Sequence, residues 1–134
     1  MAEVYLAGKV NSNEGSISGF ADELEERGHT ITYKWWEAKA LKKPYLEHIE
    51  SSRPAAVRMV EAVRRSDVTI LFPEARILGA AIEFGAAIGD INENREIIVV
   101  LGDEATETRQ SVFYAHPQVI AIQGLREIRS RLWY

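Results

Sequence analysis

Residues 77–89 read Ile-Leu-Gly-Ala-Ala-Ile-Glu-Phe-Gly-Ala-Ala-Ile-Gly, and the one ionisable side chain in the run is Glu83. A helix that is apolar or small on every face is a buried helix, and burying a bare carboxylate is costly. Glu83 must therefore be paired, protonated or put to use. In one reading it is a structural partner of Tyr5 or of an arginine. In the other it is a nucleophile, forming an ester with an electrophilic carbon as a leaving group departs.

The elements around Glu83 favour a ligand site. The run follows Ser-Asp-Val-Thr-Ile-Leu-Phe-Pro, a short β-branched and aromatic segment that reads as a buried strand ending at Pro73. Glu83 then belongs to the first turns of a helix entered from the carboxyl end of a parallel strand, where open α/β sheets bind their ligands.

The rest of the chain alternates in the same way. Residues 4–7 read as a first strand and the Gly/Ser/Asn-rich residues 8–18 as a loop. Ser18 is the expected N-cap of a helix over residues 19–27, with Phe20, Ala21 and Leu24 on its apolar side and Gly28 as its stop. Residues 30–33 read as a second strand. Residues 53–65, opening at Pro54, read as a helix with Ala56, Val57, Val60, Ala62 and Val63 inward. Residues 96–101 and 118–122 read as the fourth and fifth strands and residues 124–132 as a closing helix. This is a single α/β domain over residues 1–134, a flavodoxin-like or Rossmann-like three-layer sandwich on a five-stranded parallel sheet of order 2-1-3-4-5. Two long segments, residues 34–52 and 102–116, leave the sheet on the side where Glu83 enters, as lids and binding loops do.

Composition narrows the partners. At 134 residues and a net charge of −4, with both signs interspersed, the chain has no electrostatic footprint for nucleic acid or an anionic membrane. A small soluble ligand is expected. The absence of cysteine removes disulfides and thiol nucleophiles. The histidines, His29, His48 and His116, lack metal-ligand spacing, so no metal and no other cofactor is expected. No basic and apolar leader precedes the first strand, and no apolar stretch approaches the roughly 20 residues of a membrane span, so a cytoplasmic location is expected. The apolar end, Arg131-Leu132-Trp133-Tyr134, and the apolar residues of segment 113–118 point to a homo-oligomer, a dimer or larger.

A first strand ending Tyr-Leu-Ala-Gly, then Ser-Asp-Val-Thr-Ile-Leu-Phe-Pro, then Gly79-Ala80-Ala81-Ile82-Glu83-Phe84-Gly85-Ala86-Ala87, resembles the nucleoside 2-deoxyribosyltransferase family, including its relatives that hydrolyse 2′-deoxynucleoside 5′-monophosphates. The resemblance implies Glu83 as the nucleophile that attacks the anomeric carbon, Tyr5 as the hydroxyl that holds it, and a neighbouring subunit's loop completing the pocket. It also implies contact of substrate with Gly8 and Gly79, which belong to the two motifs. Two positions depart from the family. An acidic residue or serine six before the nucleophile is Ile77 here, and an aspartate in the preceding helix is Met59. Asp67 does not replace them, because it opens its strand at the amino end of the sheet.

The remaining candidates are read from their positions. Glu74 and Arg76, at the carboxyl end of the third strand, offer a carboxylate and a phosphate-binding guanidinium, or else a solvated pair. His116, before Pro117, offers a proton to a departing base and Gln118 a contact to base or sugar; the alternative is a histidine that begins a turn. Adjacent side chains at a strand end point opposite ways, so at most one of Trp35 and Trp36 stacks on a ligand, and Trp35 is the candidate. The expected function is cleavage of the base–sugar bond of a nucleoside or nucleoside monophosphate through an ester on Glu83. The alternatives are a nucleotide-binding module without turnover and a glutamate-dependent dinucleotide glycohydrolase.

Overall fold

The computed structural model describes residues 1–8, 11–12, 15–73, 78–92, 94–102, 111–131 and 133–134. Five short runs rich in Val, Ile and Leu pair as a parallel sheet: β1 (Glu3–Ala7), β2 (Thr30–Ile31), β3 (Val68–Leu71), β4 (Glu96–Val100) and β5 (Val119–Ile122). Their order is β2-β1-β3-β4-β5, the 2-1-3-4-5 order expected from the sequence. The helices are α1 (Ile17–Glu26), α2 (Ile49–Arg65), α3 (Leu78–Gly89) and the single turn α4 (Leu125–Ile128).

Side chains alternate across a strand, and that alternation divides the core. Val4 and Leu6 of β1 pack with Phe20 and Leu24 of α1 and with Leu125 and Ile128 of α4. Tyr5 and Ala7 face the other way, into Ala62 and Val63 of α2 and Ala80, Phe84 and Ala87 of α3. The three layers are thus α1 and α4, the sheet, and α2 with α3. Asp67 joins the amino ends of three strands: its carboxylate accepts from the Glu3 N–H at 2.9 Å, its own N–H donates to the Glu3 carbonyl, and its carbonyl accepts from the Glu96 N–H.

Several boundaries depart from the sequence reading. Ser16, not Ser18, caps α1: its hydroxyl accepts from the Gly19 N–H at 3.0 Å, and Ile17 becomes a buried first residue of the helix. Gly28 does stop α1, at φ 94°, a conformation favouring glycine. Helix α2 begins at Ile49 and carries Pro54 inside it, so the proline is no start signal here. Of its expected inward residues only Ala62 and Val63 are buried, while Val57 is 59% exposed. Helix α3 is not buried all round either: Ala80, Phe84 and Ala87 face the sheet, but Ile82 is 58% exposed. The closing helix is one turn, because Gly124 gives it no side-chain cap and turns follow it. Trp133 and Tyr134 pack on their own chain, with the Tyr134 ring under the Arg27 guanidinium at 4.0 Å.

Candidate active site

Tyr5 and Glu83 meet between the sheet and α3. Tyr5 sits in mid-strand and is fully buried. Glu83 shares the side of α3 that carries Ala80, Phe84 and Ala87, which turns its carboxylate toward β1. The Tyr5 hydroxyl donates to Glu83 Oε2. Burial pushes the Glu83 carboxyl up from 4.5 to about 7. At neutral pH it therefore stands near the balance between acid and carboxylate, the state a catalytic group needs in order to act in either form.

Glu83 opens into a cleft of about 710 Å³ at the carboxyl end of the sheet, a size typical of small-molecule sites. Gly8, Trp35, Gly79 and Ala80 line the cleft with the carboxylate, and so do Tyr45 of the strap, residues 32–48 between β2 and α2, and Ile49 and Met59 of α2. Gly8 is required: at φ 145° a Cβ would lie 2.9 Å from the Phe72 carbonyl oxygen and Cβ, so only glycine lets the chain leave β1 this close to the end of β3. Trp35 is fixed by its indole N–H, which donates to the Leu6 carbonyl at 2.7 Å. Trp36 stacks edge-on against it, at 5.5 Å between centroids, and packs into the α1 core. Two smaller hollows, of about 640 and 560 Å³, lie along the strap and do not include Glu83.

Of the residues singled out from sequence, Glu83, Gly8, Trp35 and Gly79 line this cleft, and the buried Tyr5 reaches Glu83 through its hydroxyl. His116 and Gln118 do not line it. They precede β5 at the amino edge of the sheet, where the Gln118 N–H donates to His116 Nδ1 at 3.1 Å, whereas Glu83 enters from the carboxyl edge. Any role for them at Glu83 requires a second copy of the chain. Glu74, Arg76 and Ile77 lie outside the described residues.

Sequence reasoning missed the wall made by Ile49, Ser52 and Arg53. Starting α2 at residue 53 hid it. The available signal was topological: a helix antiparallel to the strands that follows a loop from their carboxyl end must begin at that end. Met59 stands in the cleft where the family resembled has an aspartate. Glu83 and Arg53 are the charged residues among those lining it. No group of three or more His, Asp or Glu side chains among the described residues is arranged to hold a metal ion. No helix among them is long and apolar enough to cross a membrane.

Neither a protein-family profile nor a curated protein matches the chain by sequence. Among solved structures it is similar in fold to the CMP N-glycosidase BcmB of Clostridium botulinum, with a TM-score of 0.55 and 18% identity over 90% of this chain and 87% of that one. At that identity the likeness is one of fold.

Proposed function

We propose that the protein cleaves the base–sugar bond of a nucleoside or nucleoside monophosphate, with Glu83 as nucleophile and Tyr5 as the hydroxyl that orients it. The observation that carries this reading is the half-buried carboxylate of Glu83, bonded to Tyr5 and open to a largely apolar cleft at the ligand-binding end of the sheet. The fold shared with a CMP N-glycosidase supports it. In the reaction a Glu83 oxygen bonds to the anomeric carbon as the carbon–nitrogen bond breaks, and its electron pair leaves with the base, which takes up a proton. Water then cleaves the sugar ester and restores the carboxylate; a second base in place of water gives transfer.

One observation favours a second reading, a binding module without turnover. Met59 presents a thioether where the family resembled has a carboxylate, and the described residues that line the cleft include no second acid to protonate the base. One experiment separates the two. Free base is measured by chromatography for wild type and Glu83→Ala on a panel of nucleosides and their monophosphates, with thermal unfolding alongside. Turnover that Glu83→Ala abolishes in a folded protein supports the glycosidase. Tight binding without release by the wild type establishes the module.

A further inference from the structure

The chain as a whole is acidic, yet among the described residues that line the cleft around Glu83 the one cation is Arg53, in the second turn of α2. No ion pair or hydrogen bond ties Arg53 to another described residue. The preceding residue, Ser52, also lines the cleft, and its hydroxyl is buried without a hydrogen-bond partner. The lysines of the strap do not compete for the role: Lys39, Lys42 and Lys43 line the outer hollows rather than this cleft. An unpaired guanidinium beside an unsatisfied hydroxyl, on the rim of an otherwise apolar and aromatic pocket, matches a ligand with one stacking end and one anionic end.

We propose that Arg53, assisted by Ser52, binds the phosphate of the substrate and makes the cleft selective for nucleoside monophosphates over nucleosides. This rests on the reading of the cleft as a nucleotide site and adds the residue that sets its specificity. Arg53 is exposed, so its replacement is expected to leave the fold unchanged. A guanidinium offers phosphate a planar pair of donors that lysine lacks, so Arg53→Lys restores only part of the affinity.

The test is calorimetric and uses the Glu83→Gln protein, so that binding is read without turnover. Its probes are the common 2′-deoxynucleosides and ribonucleosides and their 5′-monophosphates. The expected result is that a monophosphate binds about 10- to 100-fold more tightly than its nucleoside, the range for a hydrogen bond to a charged group. Arg53→Ala closes that gap and leaves nucleoside affinity as it was, and added salt narrows the gap in the parent but not in Arg53→Ala. A gap that survives in Arg53→Ala, the absence of a gap, or the absence of binding by any probe overturns the proposal. Base release by the wild type with no such gap leaves the glycosidase standing and removes only the phosphate role. A gap closed by Arg53→Ala, in a protein that releases no base, does the reverse.

Discussion

Glu83 combines two demands that oppose each other. Burial holds its carboxyl up at about 7, while attack on carbon needs the ionised form, which the Tyr5 hydroxyl supports by donating to it. The rate on a released substrate is therefore expected to rise with pH as Glu83 loses its proton. A plot of kcat/KM against pH should show an acid limb centred near 7, whereas a limb that falls with pH there would make Glu83 a proton donor instead. The same shift has a stability consequence. Between 4.5 and about 7 the folded chain holds a proton that the unfolded chain has lost. Its contribution is fully present below pH 4.5 and declines as pH rises through 7, by about 3 kcal/mol. Glu83→Gln escapes that decline, so its thermal unfolding should lie above wild type at pH 8 and lose that advantage by pH 4.5. A purely structural pair would give a variant weaker than wild type at every pH. Glu83 was legible in the sequence because nothing else in its helix ionises. Arg53 was not, because a guanidinium near a helix start is ordinarily a solvated one, and only the assembled cleft gives it a neighbourhood.

The elements were legible where periodicity was strong. Most of the strands are rich in Val, Ile and Leu, and their alternation with helices left few windings, of which 2-1-3-4-5 was the expected one. Helix starts were less legible, since Pro54 mimicked one and Ser16 stood inside a Ser/Gly run that read as loop. The least expected element contact lies at the junction of the chain's two ends. His29, buried just after α1, accepts from the Ala2 N–H at 3.0 Å through Nδ1 and meets the Tyr134 main-chain oxygen at 3.0 Å through Nε2, while the Trp133 ring packs edge-on against it. The Nδ1 bond needs a neutral imidazole, because a protonated ring has no lone pair to accept with. Burial, then the positive charges of the Met1 amino group and Arg27, hold its pKa below 6.5. The stability it contributes is thus present above pH 6.5 and is lost as pH falls through the lowered value. His29→Gln should cost about 2 kcal/mol at pH 7.5, from the broken bonds and the groups left unpaired. It should also flatten the acid side of the stability curve. Denaturant unfolding between pH 5 and 8 checks both, and a wild-type curve as flat as the variant's would remove His29 from the account.

For the molecule as a whole, several large apolar side chains turn outward. Ile82 on α3, Val57 on α2, and Val112 and Phe113 before β5 are large, apolar and more than half exposed. On α3, Gly79 and Gly85 have open space where a Cβ would stand, so nothing within the protomer requires glycine there, although glycine in a helix costs about 1 kcal/mol relative to alanine. A second copy lying against α3 accounts for both facts and gives His116 a route to Glu83 that the protomer lacks. A homodimer is therefore expected in sedimentation, and Gly85→Ala is expected to weaken it. If Gly85→Ala instead raises the melting temperature and leaves the mass unchanged, that face is free in solution. The central claim, covalent catalysis by Glu83, is tested most directly by trapping. A substrate in turnover is quenched in acid and the digested protein is weighed by mass spectrometry. The account predicts a peptide containing Glu83 heavier by one glycosyl group, absent from Glu83→Gln. Base released at full rate by Glu83→Gln, or an adduct on another residue, would contradict it.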